Sequence, residues 1–394
     1  MDLSPLSTVR QAGRLSYRNT ITSMIATLRR GRTLRLPASE VLLQCGQPHK
    51  LATAAEYVYL SAAHSHRVEL QPPLRLVELA RDGQYRHAAP WQLNKLTKQG
   101  WRTRPLPEAL DAAERVLVIR NMGLGDVLML TPALQALHRQ WQVQVEVATY
   151  ARYVPLLWGL PGIAAAHALG TDYQAERFDV TIDLNWAVES GEETQKLPRQ
   201  DIFARLLHVR LNQRRPIYRV ADSERHWARQ QSAQWHAQMV GIQVHASCRQ
   251  RTYPANRIRS LTELLQAEGY TVAFLGEHWA DSMPPQVVDL TGNLSLRQAA
   301  ALIEQMAAMI CPDSGLLHLA VAVGTPTVGL FGPIPPQLRT AGYPHCQTVT
   351  AVAACPHQPC FDSGAAGCRD PYCMQAIEPQ SVVEAMHTVL ASGR

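Results

Sequence analysis

The sequence predicts an α/β protein: two parallel-sheet halves facing each other, preceded by a small, mainly helical segment. Three observations predict it. From Arg115 onward, strand-like apolar runs alternate with helical periodicity at the spacing of βαβ units. A small-residue turn twice follows a buried strand: Arg120-Asn121-Met122-Gly123-Leu124-Gly125-Asp126 after Val116 to Ile119, and Asp313-Ser314-Gly315-Leu316-Leu317-His318 after Met309 to Cys311. Residues 1–113 lack this alternation and are far more basic than the rest. Open parallel sheets bind ligands at the carboxyl ends of their strands, where both turns fall, so two such edges face to face enclose a cleft.

Residues 1–113 read as a basic accessory domain. Ile21, Ile25 and Leu28 fall at helical spacing, Leu51 to Ala63 is a second candidate helix, and Leu74 to Ala80 a third. Turn signals at Gly83 and Pro90 break the remainder. The first parallel-sheet half covers 114–230. Its run Val116 to Ile119 has the continuous apolar character of a strand covered on both faces. Thr131 and Pro132 suit the N-cap and first turn of a helix with Leu134, Leu137 and Trp141 on one side. Val143, Val145 and Val147 alternate as a strand, as do Val180, Ile182 and Leu184.

A polar helix between Asp222 and Met239 bridges to the second half, 231–394. That half restarts at Ile242 to His245, followed by a helix around Leu261 to Ala267 and a strand from Tyr270 to Leu275. Ser295 caps a helix predicted to reach about Ala308. Met309 to Cys311 is a short strand, the Asp313 loop opens a helix through Val323, and Thr327 to Phe331 is the next strand. Val382, Val383, Met386, Val389 and Leu390 mark a closing helix from Pro379.

At 394 residues the chain exceeds one ordinary core, and 46% hydrophobic with 18% charged residues excludes a disordered polymer. No apolar run approaches the roughly 20 residues that span a bilayer. Met1 to Leu36 carries Arg throughout and no compact apolar block, so it does not read as a secretory signal. A cytoplasmic protein is expected, working at the inner face of the cytoplasmic membrane. Residues 1–113 hold 16 Lys and Arg against 8 Asp and Glu, whereas the remainder holds 22 against 24. The positive excess therefore belongs to the N-terminal segment and suits an anionic partner or a solvated surface.

Each motif has its own chemistry. Glycines at 123 and 125 permit positive φ and leave room for a substrate against the backbone. Asp126 then stands at a helix start, where a carboxylate either accepts a proton from a hydroxyl as general base or caps the helix. Asp313, Ser314 and Gly315 expose backbone N–H groups at another helix start, a setting that suits a diphosphate. His318, one turn in, is a phosphate donor or a satisfied core histidine. Arg251 offsets leaving-group charge or is simply solvated.

Together these residues resemble glycosyltransferase family 9, the ADP-heptose:lipopolysaccharide heptosyltransferase family, over roughly residues 114–390. The matching pieces are Val118-Ile119-Arg120 with Gly125-Asp126-Val127-Leu128 and Thr131-Pro132; Arg251-Thr252-Tyr253-Pro254; and Asp289-Leu290-Thr291-Gly292 with Ser295-Leu296. Asp313 to Ala320, Pro326 to Pro333, and Cys373-Met374 ahead of Ile377-Glu378-Pro379 complete the set. The resemblance implies a GT-B fold, two Rossmann-like domains across a central cleft. It also implies inverting, metal-independent sugar transfer from a nucleotide diphosphate. Asp126 then corresponds to the base and the turn from Asp313 to His318 to the donor phosphate cradle. Arg251 takes the place of a family lysine, and Glu277 falls near an acidic residue that contacts the ribose. Arg120, Gly123 and Gly125 line the acceptor loop.

Four of the eight cysteines fall within 19 residues, as Cys355-x4-Cys360-x7-Cys368-x4-Cys373. In a cytoplasmic protein such a cluster reads as a closed structural site for Zn, or for Fe of the kind a related group of heptosyltransferases carries, or, since no CxxC knuckle is present, as four thiols without a metal. A four-Cys site leaves no open position for catalysis.

The expectation is a glycosyltransferase that moves a heptose from ADP-heptose to a hydroxyl of an anionic glycan such as the lipopolysaccharide inner core. Arg29, Arg30, Arg32 and Arg35 would hold the acceptor's phosphates. The alternatives are a protein- or nucleic-acid-directed transferase, the latter suggested by Tyr85, Trp91 and Trp101 among basic residues, and a non-catalytic GT-B nucleotide-sugar-binding or assembly protein.

Overall fold

The computed structural model describes residues 34–37, 57–63, 67–70, 77–88 and 92–392, the last without 171–176, 186, 191–193, 234, 236–237, 280, 352–354, 356–357, 361–367 and 369. The chain divides into two compact units, Met1–Pro72 and Pro73–Arg394.

The described residues of the first unit are strands: β1 (Leu34–Pro37), β2 (Tyr57–Ala63) and β3 (Arg67–Leu70), antiparallel in that order. Leu34 opposes Leu60, which opposes Leu70. The helix expected over Leu51 to Ala63 is therefore a strand from Tyr57 on, where Tyr57, Val58 and Tyr59 favour a pleated backbone. Arg35 lies in β1. Ile21, Ile25, Leu28, Arg29, Arg30 and Arg32 lie outside the described residues.

The second unit holds two lobes. Among the described residues, the first lobe's sheet runs β6-β4-β5-β10-β7-β8-β9. Its strands are β4 (Val77–Arg81), β5 (Gln84–Ala88), β6 (Arg102–Thr103), β7 (Arg115–Ile119), β8 (Gln144–Thr149), β9 (Ile163–Ala168) and β10 (Val180–Asp183). β5, β10, β7, β8 and β9 pair in parallel, and β4 joins as an antiparallel hairpin partner of β5.

This corrects the expected boundary at residue 113, because residues 77–103 supply three strands of the lobe's own sheet. The helix expected over Leu74 to Ala80 is strand β4 from Val77. The cause is the Asp82-Gly83 pair, whose φ values of 49° and 74° make the two-residue turn that matches strand twist. Tyr85 and Trp101, weighed as base-stacking residues, are instead 3% and 6% exposed core side chains. Arg81 and Arg86 flank the Trp101 ring at 5.2 and 5.3 Å. Two short helices, α1 (Leu93–Lys98) and α2 (Leu106–Leu110), complete this part.

After β7 comes α3 (Leu124–Trp141), which starts seven residues before the expected cap at Thr131. Thr131 and Pro132 lie inside it. The Pro132 nitrogen cannot donate to the Leu128 carbonyl, and the Thr131 hydroxyl takes that carbonyl instead at 2.7 Å. A 3₁₀ helix, Ala151–Leu157, follows β8, and α4 (Arg199–Leu206) covers the lobe beyond β10.

The second lobe opens with α5 (Asp222–Ser232). Its parallel sheet runs β13-β12-β11-β14-β15-β16. The strands are β11 (Met239–Gln243), β12 (Thr271–Leu275), β13 (Val288–Asp289), β14 (Ala308–Pro312), β15 (Thr327–Phe331) and β16 (Cys346–Thr350). Its helices include α6 (Ala255–Ala267), α7 (Leu296–Ile303), α8 (Gly315–Val323), α9 (Gln337–Thr340) and the closing α10 (Pro379–Ser392). Ser295 caps α7 as expected, with its hydroxyl accepting from Gln298 N at 3.2 Å. That helix stops at Ile303, since Ala308 already belongs to the fully buried β14.

The lobes are tied where the connecting segment crosses them. Ile217 N donates to Thr131 Oγ1 at 2.8 Å. Arg215 Nε and Nη2 donate to the carbonyls of Val321 and Ala322, each at 3.0 Å, and so place a cation at the C-terminal end of α8. No described helix is long and apolar enough to cross a membrane.

Candidate active site

The two small-residue turns meet. A Cβ placed on Gly125 would lie 2.8 Å from His318 Cδ2, and one on Gly315 would lie 2.5 Å from Leu124 Cγ. Only glycine lets the start of α3 touch the start of α8 so closely. Neither Gly123 nor Gly125 has a positive φ, so the expected conformational reason gives way to this steric one.

Asp126, in the first turn of α3, keeps 21% of its side chain exposed. Arg120, at the end of β7, has none exposed. Its Nη2 donates to Asp126 Oδ1 at 3.0 Å and to Glu189 Oε1 at 2.5 Å, while Nη1 donates to the Leu184 carbonyl at 3.0 Å. Glu189 also takes Arg199 Nη1 at 3.0 Å. Burial by itself would raise the Asp126 pKa, but the charges of Arg120, Arg199 and Arg339 outweigh it. They hold the carboxyl well below the usual carboxylate range. Arg120, expected on the acceptor loop, is instead an internal anchor. Its hydrogen bond to Asp126 goes to Oδ1.

Across the junction, Arg251 follows β11 in a short 3₁₀ turn. Its Nη1 lies 3.3 Å from Asp313 Oδ2, and Arg339 Nε lies 3.8 Å from the same oxygen. Ser314 is the N-cap of α8, and its hydroxyl donates to Gln243 Oε1. The amides of that N-terminus and the two guanidiniums make a positively polarised pole facing a lobe that carries a carboxylate.

His318 is 2% exposed. Tyr343 lies 2.8 Å from its Nδ1, and the Tyr343 hydroxyl accepts from Gln200 Nε2 of α4, also at 2.8 Å. Desolvation lowers the His318 pKa to about 4, so the ring is neutral near pH 7. Sequence reasoning offered it as a phosphate donor or a satisfied core histidine, and its burial and its Tyr343 partner are those of the second. The structure makes it a strut between lobes, tied through Tyr343 to one side and pressed on Gly125 at the other.

The model of glycosyltransferase family 9 (heptosyltransferase) matches residues 163–367, just over half of the chain. The chain belongs to glycosyltransferase family 9. Lipooligosaccharide heptosyltransferase 2 of Haemophilus influenzae is 33% identical over 99 residues, which cover 22% of this chain and 29% of that protein. The chain thus spans less than a third of that relative's length. Escherichia coli ADP-heptose lipopolysaccharide heptosyltransferase II shares the fold with a TM-score of 0.56 at 20% identity, over 70% of this chain and 98% of that one. The iron-containing dodecameric glycosyltransferase TibC from enterotoxigenic E. coli does so with a TM-score of 0.55 at 18% identity, over 71% and 77%. These family 9 folds are GT-B folds, and the two parallel-sheet lobes here are of that architecture.

Two groups of expected site residues stand outside the junction. Glu277 is exposed at the carboxyl end of β12, two strands from β14 and Asp313. The cysteines gather near Gly332: Cys373 is buried, and Cys355, Cys360 and Cys368 are half-buried. Burial first, then the proximity of Cys360, Cys355 and Cys368, pushes the Cys373 thiol up to about 11. The four thiols are therefore near neighbours and the donor set suits Zn or Fe. Among the described residues, however, no three His, Cys, Asp or Glu stand in metal-holding geometry.

Sequence reasoning does not single out Glu189, Arg199, Gln200, Arg339 or Tyr343. Arg199 and Gln200 begin α4, and their 5% and 0% exposure could not be read from a polar run. The one available signal was their place next to Ile202, Phe203 and Leu206, which made the run amphipathic.

Proposed function

We propose that this protein transfers a heptose from ADP-heptose to a hydroxyl of an anionic glycan of the lipopolysaccharide inner-core kind. The acceptor oxygen attacks the anomeric carbon while Asp126 Oδ2 takes its proton. The bond between that carbon and the diphosphate oxygen breaks, its electron pair leaves with the phosphate, and the configuration inverts. Asp126 is suited to this as a group already ionised and fixed in direction by Arg120. Arg251 and the N-terminus of α8 oppose the charge that grows on the departing diphosphate. That places leaving-group stabilisation on side chains and backbone. Such an acceptor would bring the protein to the inner face of the cytoplasmic membrane.

The observation that carries the reading is the contact between the Gly125-Asp126 turn and the turn of Asp313 to His318. It supports the reading by bringing the turn that carries the Asp126 carboxylate against the turn at which Arg251 and the start of α8 gather. The family and fold favour a glycan over a nucleic acid as partner. The test is ADP release and product mass with ADP-heptose and a core oligosaccharide. Asp126→Asn is expected to lower transfer by about 10²–10⁴-fold with ADP binding retained. A wild-type rate in that variant would remove Asp126 from the chemistry, and wild-type protein inert with every donor and acceptor would favour a binding or assembly role.

A further inference from the structure

We propose that Arg339 is a second phosphate-binding cation of the transfer site, joining Arg251 on the donor's diphosphate, with Asp313 holding both guanidiniums until phosphate oxygens take them. The inference rests on the nucleotide-diphosphate reading above and adds a residue to it.

The topology delivers the trio. β11, β14 and β15 are adjacent in the second lobe's sheet. Arg251 follows β11, Asp313 follows β14, and Arg339 lies in α9, which follows β15. Three neighbouring strands thus present Arg, Asp and Arg side by side at one carboxyl edge, directly at the N-terminus of α8. Both guanidiniums approach the same oxygen, Asp313 Oδ2, at 3.3 and 3.8 Å. The Arg339 side chain is 8% exposed, that of Arg251 14% and that of Asp313 4%.

Two like charges drawn together away from water repel each other strongly, so the arrangement needs an anion between them. Asp313 supplies a carboxylate there. A diphosphate supplies more charge and more acceptor oxygens, in the fork geometry that guanidinium donors match. Arg339 also reaches the other lobe. It is one of the cations that hold the Asp126 carboxyl low, behind Arg120 and Arg199. Gln200 Nε2 of α4 approaches the Arg339 carbonyl at 3.5 Å, and donates to Tyr343 on the following turn at 2.8 Å. The backbone that carries Arg339 is therefore placed by contact between the lobes, which links phosphate holding to lobe closure.

The test is calorimetric titration of the full chain with ADP, inorganic pyrophosphate and adenosine, in wild type, Arg339→Gln and Arg339→Lys. Arg339→Gln is expected to weaken ADP and pyrophosphate at least tenfold and to leave adenosine unchanged. Arg339→Lys, which keeps charge but loses the fork, is expected to fall between. Unchanged ADP affinity in Arg339→Gln overturns the proposal, as does an equal loss for ADP and adenosine, which marks a purely structural role. Should Arg339→Gln not fold, Arg339→Lys decides alone: at least threefold weaker ADP binding supports the proposal, and wild-type affinity overturns it. Wild-type protein that binds none of ADP, GDP, UDP and CDP overturns the donor reading and this one together. Wild-type binding with Arg339→Gln unaffected overturns this one only.

Discussion

Asp126 shows how a side chain's charge and direction come from the cations packed around it. Its folded pKa is depressed, so the ion pair with Arg120 stabilises the protein above the ordinary carboxylate range. That stabilisation is lost as pH falls through the lowered value. The acid decline of kcat/KM is accordingly expected below about pH 4, the range of an unperturbed Asp. Arg199→Gln removes one of the cations and will move that decline upward; an unmoved profile would deny Arg199 its electrostatic part. His318 titrates with the same consequence for a different reason. Its pKa is lowered to about 4 by burial, so the unfolded chain binds the proton more readily. Stability is expected to fall as pH drops from about 6.5 towards 4, and His318→Gln will flatten that slope in thermal melts. Glu189→Gln leaves Arg120 buried with one carboxylate fewer. Breaking a buried pair costs about 3–5 kcal/mol, but Glu189 is 32% exposed, so about 1–2 kcal/mol in urea unfolding is the discounted expectation. Of these residues, Asp126 was legible because it follows a Gly-x-Gly turn behind an apolar run. Glu189 and Arg199 lie 63 and 73 positions later by number, and only the fold brings them to it.

At the scale of the element, the paired helix starts give the sharpest contrast. Gly125→Ala would force a methyl to 2.8 Å from the His318 ring, whereas Gly123→Ala meets nothing nearer than Asp126 Oδ2 at 3.8 Å. Gly125→Ala is expected to reduce transfer at least about tenfold, a loss of ~1.4 kcal/mol in transition-state stabilisation, while Gly123→Ala stays near wild type. Equal effects of the two in a steady-state assay would refute the steric account. Thr131 repairs the hydrogen bond that Pro132 cannot make and receives one from the interlobe segment. Thr131→Val is expected to cost about 1–3 kcal/mol in denaturant melts, since it strands both partners. This repair is why the start of α3 was misread: Thr-Pro is a start signal on its own, and only the hydroxyl's backbone partner cancels it. Strands β7, β8, β10, β11, β12, β14 and β15 were legible because apolar runs bounded by small residues have few other uses, whereas β5, β6, β9, β13 and β16, shorter or less apolar, were not read from the sequence. β4 was not, since Leu74 to Ala80 is short enough to satisfy either periodicity.

For the whole molecule, the boundary between units decides what can be removed. A chain starting at Pro73 keeps every strand of the first lobe, and it is expected to melt cooperatively near the temperature of the full protein. A chain starting at Glu114 loses β4, β5 and β6 and with them buried Leu79, Tyr85, Leu106 and Leu110. At about 1.5–3 kcal/mol per large apolar side chain, that loss rivals the entire stability of a typical domain. Calorimetry of the two truncations separates these outcomes, and equal stability would restore the boundary at 113. Charge distribution misled here because Arg81 and Arg86 are basic for the sake of Trp101. The junction of the lobes has a kinetic side as well. On the proposed reading, the contacts of Leu124 with Gly315 and of Gly125 with His318 would have to open for a sugar diphosphate to enter between the two helix starts, and again for its remnant to leave. Catalysis would then be clocked by how fast two bodies push through solvent, and turnover will slow as glycerol thickens the medium while a bulky polymer of equal bulk viscosity leaves it alone.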